Sequence, residues 1–371
     1  MKKSNKVYII LALAVFAIFF IIKLAGDTAS DSKTIKIGVV IPLTGTQSFA
    51  GEGLKNALIL AQEDIANQKK LGKPFKYDYK LIFEDSQLDP KLAISAANKL
   101  IDVDEVNVLL DAYAPIGNAV SSIAEKRGAP HISVAFDPKI ADGKYNFILF
   151  MKPDTVSRVF LEELQKRNVK KISILRVNNS GIASVYQAIK DLSPNYGVSI
   201  SSDEVFQPGE KDFKSLAMKS ISSKPDEHVL LALSPEIELL TNQLNDYGVT
   251  NITTAFYFDV AQNKEVFRGL WFAGYSKLGD TNFEGRYKER FKREMTFGIP
   301  NFYDAFNIIV DTAENYNGNQ KPDDNYFAEK IGEVKAFKGV LGNLSSDSDG
   351  IIDTPASIKT FTDNGTDYLS K

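Results

Sequence analysis

The chain has 371 residues, enough for two domains that each bury a sizeable core. Hydrophobic residues make up 44% and charged residues 25%, which is typical of a folded globular protein. The formal net charge of −3 offers no basic surface, so we expect no nucleic-acid partner. The sequence has no cysteine, which excludes disulfides, thiolate metal sites and cysteine nucleophiles, and we expect packing roles for its two histidines, His131 and His228.

The N-terminal segment, residues 1–33, predicts export. Lys2, Lys3 and Lys6 precede an unbroken apolar run over residues 7–22, which we expect to form a hydrophobic helix. This run is slightly long for a signal peptide and slightly short for a full membrane span, so a cleaved signal peptide and an uncleaved signal anchor both stay open. In either case a short polar linker follows, and the body of the chain is expected to be extracytoplasmic, in the periplasm or at the outer face of the cytoplasmic membrane.

After this segment, short apolar strands alternate with amphipathic helices. Such strands are typical of parallel sheets covered on both faces, and the alternation predicts an α/β fold with doubly wound sheets. The first predicted group has strands at 35–41, 79–85, 107–113, 131–134 and 146–151, with helices at 52–67, 90–102 and 116–127. The second has helices at 157–167, 182–192, 212–222 and 235–248, with strands at 170–177, 199–206, 228–233, 251–258 and 269–274. Helices at 283–294, 301–315 and 325–334 and strands near 337–341 and 357–361 complete the predicted elements.

Six stretches in a fixed order carry a resemblance to a known family. They read "IKIGVVIPLTGTQSFAGEGLKNALILAQEDIAN", "FEDSQLDPKLAISAANKLI", "GAPHISVAFDP", "FQPGEKDF", "RYKERFKREMTFGIPNFYDAFNIIVDTAEN" and "GNLSSDSDGIID". Together they resemble the type I periplasmic solute-binding proteins of the leucine/isoleucine/valine-binding branch. The resemblance implies two α/β lobes joined by a three-crossover hinge. By this analogy lobe one holds residues 34–152 and 272–335, and lobe two holds residues 153–271 and 336–371.

The resemblance also implies a function. Such proteins capture a small ligand between two hinged lobes and deliver it to the membrane permease of an ABC importer. A ligand-sensing receptor or regulator that acts through a separate signalling partner is the alternative use of the same fold. We expect a monomer that is not an enzyme and that holds no cofactor or metal, because no nucleophile–base pair, ligand cluster or cofactor loop stands out in the sequence.

The candidate site departs from the family pattern. Amino-acid-binding members usually carry two small hydroxyl residues where this chain has Tyr113 and Ala114, and an Ala-Thr pair where it has Ala135 and Phe136. The hydroxyls that would bind a ligand carboxylate are therefore missing, although backbone N–H groups near Ile116 and Gly117 are left as a possible anion site.

Residues at the carboxyl ends of strands, where ligands of open α/β sheets bind, complete the candidate set. Packing and ligand contact are both open for the aromatic members, and a turn-capping role is open for Asp137. The expected ligand is an amino acid, an amine or an aromatic compound. Aromatic rings with two carboxylates and no basic residue favour a cation, so the hypothesis is a ligand with a cationic or aromatic part and not a plain α-amino acid. The predicted ligand-binding residues are Phe49, Tyr113, Ala114, Phe136, Asp137, Ser180, Tyr257, Asp259, Asn301 and Phe302.

Overall fold

The computed structural model describes residues 33–363 and 365–369. The predicted N-terminal hydrophobic helix lies outside these residues. Among the residues that are described, no helix is both long enough and apolar enough to cross a membrane.

The first lobe is built on a six-stranded sheet whose strands all run parallel. Its strand order is β13-β5-β4-β3-β1-β2, and nearly every residue of the central strands is buried, as expected for a sheet covered on both faces. The strands are β1 (Thr34–Ile41), β2 (Asp78–Asp85), β3 (Val108–Ala112), β4 (His131–Val134), β5 (Asn146–Leu149) and β13 (Ile351–Ile352).

Helices cover this sheet, and local signals fix several of their ends. The carboxylate of Asp89 accepts a hydrogen bond from the backbone N–H of Lys91 (2.7 Å), which caps the start of the second helix. Gly128 ends the third helix in the left-handed conformation (φ 67°). The helices of this lobe are α1 (Ser48–Lys70), α2 (Pro90–Asp102), α3 (Ala114–Arg127), α8 (Phe283–Phe291), α9 (Ile299–Glu314) and α10 (Asp324–Gly332), with a hairpin of β11 (Phe337–Gly339) and β12 (Gly342–Leu344).

The second lobe combines two smaller sheets. A parallel sheet has the order β7-β6-β8-β9, and an antiparallel sheet has the order β10-β14-β15. A bridge between Ala255 and Ala273 connects the two sheets. The strands are β6 (Lys171–Val177), β7 (Ser199–Phe206), β8 (Glu227–Leu231), β9 (Ile252–Thr253), β10 (Trp271–Tyr275), β14 (Ala356–Thr362) and β15 (Gly365–Tyr368), and the helices are α4 (Pro153–Lys166), α5 (Ser180–Leu192), α6 (Lys214–Ser222) and α7 (Glu236–Asp246).

The chain passes between the lobes three times: after β5, after β10 and between β13 and β14. At this hinge the carboxylate of Asp353 accepts hydrogen bonds from the backbone N–H of Lys152 (2.7 Å) and the hydroxyl of Thr155 (2.6 Å). The first and third passages are thereby tied together. The predicted α/β class with two lobes and a three-crossover hinge is the observed architecture.

Strand pairing places two segments differently from the predicted division. Phe272 to Tyr275 lie in β10, which pairs with β14 of the second lobe, although these residues were expected in lobe one. Ile351 and Ile352 pair with Ile148 and Leu149 of the first lobe, although residues after 335 were expected in lobe two. A two-residue strand carries no periodic signal, so its position depends on contacts that the sequence pattern does not reveal.

The predicted strand 251–258 is shorter in the structure. Pairing covers only β9, and a short 3₁₀ helix follows at Tyr257–Val260. Phe256 interrupts the strand with a positive φ of 93°, which is incompatible with extended backbone. This turn directs the following residues into the cleft between the lobes.

Candidate functional site

The carboxyl ends of strands from both lobes meet at one small cavity of about 30 Å³. In the first lobe β3 leads into α3 and β4 ends at Val134, and in the second lobe β6 leads into α5. The first wall consists of Tyr113, Ala114, Ala135, Phe136 and Phe297, and the second includes Asn179, Ile182, Leu233, Phe256, Tyr257 and Val260. Four predicted site residues, Tyr113, Ala114, Phe136 and Tyr257, therefore lie together.

Aromatic rings from the two lobes contact one another across the cleft. The ring of Phe136 lies 5.0 Å from that of Phe256 and 6.1 Å from that of Tyr257, measured between centroids. On the first wall, Tyr113 stacks on Phe297 at 4.6 Å. These are ordinary distances for favourable aromatic pairs. The cavity that they enclose has room for about one water molecule, so a larger ligand requires the walls to separate.

The two lobes approach closely at the starts of α3 and α5. A Cβ atom added to Gly181 would lie 3.1 Å from the Cβ of Ala114, closer than side chains normally pack. Nearby, Gln47 donates a hydrogen bond to the carbonyl of Ser234 (2.7 Å) and accepts one from the hydroxyl of Tyr113 (3.2 Å). Gln47 is 4% exposed, so this bond between the lobes is shielded from water.

The two phenols of the cavity differ in their hydrogen bonding. The hydroxyl of Tyr113 is held by Gln47, whereas the hydroxyl of Tyr257 is buried and has no hydrogen-bond partner among the described residues. Burial raises the pKa of both phenols well above the usual value, so both stay protonated and neutral at physiological pH. Tyr257, a residue of the cavity wall, thus carries one buried donor and acceptor that the described residues leave unused.

Two residues of the cavity wall have strained backbones. Tyr113 has a φ of 75° and Phe256 a φ of 93°, in a region that bulky residues rarely occupy. Each such conformation costs on the order of 1–3 kcal/mol and is typically found at binding sites. At Tyr113 the strain accompanies the abrupt change from β3 to α3, which brings the ring into the cleft.

The helix starts that face the cleft use most of their N–H groups internally. The N–H groups of Ile116 and Gly117 donate to the carbonyl of Tyr113 (3.0 and 2.9 Å), and Pro115 has none. In α5 the side-chain oxygen of Asn179 accepts from the first-turn amides. The anion site considered near Ile116 and Gly117 is therefore already satisfied by the protein.

Two further predicted residues, Asp137 and Ser180, lie at the rim of the cleft. The amide of Asn118 donates to the carboxylate of Asp137 (2.8 Å) and to the hydroxyl of Ser180 (3.4 Å), which joins α3 to α5. The carboxylate of Asp137 also accepts from the backbone N–H of Lys139 (3.2 Å) and caps a short 3₁₀ turn. The capping role considered for Asp137 is present in the structure, and its carboxylate does not line the cavity.

The carboxylate of Asp259 forms a buried ion pair instead of lining the cavity. One oxygen lies 2.8 Å from the ammonium of Lys359, and the other accepts a hydrogen bond from the backbone N–H of Tyr275 (2.8 Å). Lys359 comes from β14, about a hundred residues further along the chain. The carboxylate proposed to attract a cationic ligand is therefore neutralised by the protein itself.

The remaining predicted residues lie outside the cavity wall. Phe49 belongs to the first turn of α1 and its carbonyl accepts from Arg293 (3.1 Å). Asn301 is buried in α9, where it donates to the carbonyl of Leu149 (3.0 Å) and accepts from the hydroxyl of Tyr275 (2.9 Å). Phe302 is buried in the core. Asn301 therefore joins the lobes at the hinge and does not line the cavity.

Several wall residues were not among the predicted site residues. Phe256 falls inside the predicted strand 251–258, and Leu233 is the last residue of the predicted strand 228–233, which ends at Leu231 in the structure. Phe297 lies in a loop whose course the alternating pattern does not fix. Gln47 lies one turn before the predicted start of the first helix, in the same strand-to-helix connection as Phe49. Its place beyond the end of β1 was the only signal that could have identified it.

A family model described as "Periplasmic binding protein" matches residues 34–366. Among curated relatives, the Leu/Ile/Val-binding protein BraC3 of Rhizobium johnstonii is 24% identical over 256 residues, which cover 67% of this chain and 66% of the relative. An amino acid binding protein of Pseudomonas aeruginosa is 24% identical over 253 residues, which cover 65% of this chain and 63% of the relative. The chain thus spans about two thirds of the length of these relatives.

Solved structures show the same fold. A leucine-binding protein, LivK, from Thermotoga maritima has a TM-score of 0.80 at 19% identity, covering 91% of this chain and 98% of its own. The branched-chain amino acid substrate-binding protein LivJ from Streptococcus pneumoniae, solved with isoleucine, has a TM-score of 0.76 at 20% identity, with 90% and 98% covered. A solute-binding protein of an ABC transporter from Rhodopseudomonas palustris, solved with 3,4-dihydroxybenzoic acid, has a TM-score of 0.75 at 18% identity, with 91% and 98% covered.

Proposed function

Because the chain belongs to the periplasmic binding protein family, we propose that it captures a small solute between its two lobes outside the cytoplasm and delivers it to an ABC importer. The convergence of strand ends from both lobes on one small cavity carries this proposal. A cleft of this kind takes up a ligand when the lobes rotate apart about the hinge and holds it when they return.

The bond between Gln47 and Ser234 supports a closing motion. It joins the loop after β1 of the first lobe to the segment after β8 of the second and is made only when the lobes are together. The contact of Phe136 with Phe256 has the same property. A solute that contacts both walls binds the closed form more tightly than the open form, and this difference in affinity sets how far it shifts the lobes toward closure.

Lobe motion can be measured directly because the sequence contains no cysteine. Lys91→Cys in α2 and Lys214→Cys in α6 place one exposed label site on each lobe, and energy transfer between two dyes reports the distance between the lobes. We expect a panel of amino acids, amines, aromatic acids and neutral aromatics to contain a compound that changes this distance and raises the melting temperature. A panel that leaves both readings unchanged would contradict solute binding in the cleft.

Delivery to an importer needs a separate test. In nanodiscs that contain the permease and its ATPase subunits, we expect the liganded protein to stimulate ATP hydrolysis more than the unliganded protein does. Binding without any such stimulation would favour the sensing alternative.

Two further measurements test the state of the protein. Size-exclusion chromatography with light scattering tests whether it is the proposed monomer. The mass of the exported chain tests whether the N-terminal segment is retained as an anchor.

A further inference from the structure

We propose that the cleft takes an uncharged, planar aromatic solute with one hydrogen-bonding group, of which a simple phenol is the smallest example. This inference rests on the proposed solute-binding function and specifies the ligand class. It differs from the cationic ligand that the sequence alone suggested, and three features of the cleft carry it.

The first feature is the absence of charge on the cavity wall. None of the described residues that line the cavity is an Asp, Glu, Lys, Arg or His. The nearest candidate carboxylates are used elsewhere: that of Asp259 by Lys359, and that of Asp137 by Asn118 and the turn that it caps. A charged ligand group would lose its water without gaining a partner of opposite charge, which is strongly unfavourable.

The second feature is the internal use of backbone donors. Helix starts often compensate for missing basic side chains by binding an anion with free N–H groups. Here Tyr113 and Asn179 accept from N–H groups in the first turns of α3 and α5, and Pro115 supplies no donor. The two helices therefore lack the set of free N–H groups that would hold the carboxylate of an amino acid or an aromatic acid.

The third feature is the combination of aromatic walls with one unused hydroxyl. Tyr257 is 3% exposed, lines the cavity and leaves its hydroxyl without a partner, at a cost that a ligand group could remove. Phe136 from one lobe and Phe256 from the other contact each other here. When the lobes separate, the rings of Phe136, Phe256 and Tyr257 are available to a planar ring, and a closing ligand would contact both walls.

A series of compounds that differ mainly in charge tests the inference by calorimetry at pH 7 on the protein from residue 33 onward. The series is 4-methylphenol (neutral), 4-hydroxybenzoate (anionic), tyramine (cationic), L-leucine (zwitterionic) and 4-methylcyclohexanol (neutral but not aromatic). We expect 4-methylphenol to bind and each charged compound to bind on the order of 100-fold more weakly. We expect 4-methylcyclohexanol to bind about 3- to 10-fold more weakly than 4-methylphenol, because it lacks the aromatic contacts.

Two variants connect binding to the hydroxyl. Tyr257→Phe should weaken 4-methylphenol by about 3- to 10-fold and leave the binding of toluene unchanged. Without ligand it should melt no lower than the wild type, because a buried hydroxyl without a partner contributes no stability. The matched control, Tyr247→Phe, alters an exposed tyrosine at the end of α7 and should change nothing.

The outcomes separate this inference from the function on which it rests. Binding of leucine, tyramine or 4-hydroxybenzoate as tightly as 4-methylphenol would overturn the uncharged class and leave solute binding intact. Equal binding of 4-methylphenol by the wild type and Tyr257→Phe would overturn the role of the hydroxyl, and tighter binding of 4-methylcyclohexanol would overturn the aromatic class. If no compound of either this series or the wider panel bound, the proposed function would fail as well.

Discussion

Replacing Lys359 by Met tests whether the buried ion pair with Asp259 is structural. The ammonium lies 2.8 Å from one carboxylate oxygen, and the two residues are 4% and 6% exposed. Without Lys359 the carboxylate would keep its hydrogen bond from the backbone N–H of Tyr275 and a charge interaction with Lys264, but it would lose its direct ion pair. Breaking one partner of such a pair costs about 3–5 kcal/mol, because the remaining charge stays buried without compensation.

Urea unfolding followed by circular dichroism measures this loss. With a denaturant dependence of about 3 kcal/mol per molar for a protein of this size, Lys359→Met should lower the unfolding midpoint by about 1–1.7 M. Asp259→Asn should also destabilise, because it leaves the ammonium unpaired. The double variant removes both charges and should lose less than either single variant. Lys69→Met, which breaks a more exposed pair with Asp78, is the control and should cost less than about 1 kcal/mol.

Three results would refute this reasoning. Losses below about 1 kcal/mol for the single variants, or losses that simply add in the double variant, would show that the two charges do not stabilise each other. Loss of solute binding in Asp259→Asn with an unchanged unfolding midpoint would show that this carboxylate binds the ligand, as the sequence predicts.

Three further outcomes are expected. Burial opposes a charged imidazole, but the buried Asp111 carboxylate 2.9 Å away raises the pKa of His131. The stability of the folded protein should therefore fall as pH rises above about 6.5. In His131→Gln the melting temperature should lack this dependence on pH. Gln47→Ala removes the bond to Ser234 and should shift the equilibrium between closed and open lobes toward the open form by about 1–2 kcal/mol. Energy transfer between the dyes at positions 91 and 214 measures this shift. Phe136→Ala removes a buried ring and should lower the free energy of unfolding by about 3 kcal/mol, measured in urea; an unchanged midpoint would show that the ring is dispensable.

Most of the fold followed from local patterns. The helix at residues 90–102 and the strands at 131–134 and 199–206 have their predicted bounds, since Pro and Asp mark the helix start and apolar runs mark the strands. The strands near the end of the chain were harder to predict: β13 and β15 are short, and the pairing of β14 with β10 joins residues that are far apart in sequence.

The candidate site likewise has one part that local patterns predicted and one part that they did not. Tyr113, Phe136 and Tyr257 could be placed in the cleft because each follows a recognisable strand, and strand ends of a parallel sheet meet at one edge. The partner of Asp259 could not be predicted, because no local pattern connects it to Lys359 in β14. Residue type suggested a free carboxylate, and long-range packing neutralised it.

The third passage between the lobes has a consequence for the order of folding. Residues 351–352 pair with the first-lobe sheet, residues 356–360 pair with β10, and β14 packs against α4 in the second lobe. Neither lobe can acquire all its native strands until this short segment, some two hundred residues after β5 and α4, has been synthesised and has found both partners. Such distant pairing slows folding. A chain interrupted before residue 351 would expose one edge of β5 and one edge of β10, so one late segment completes both lobes together.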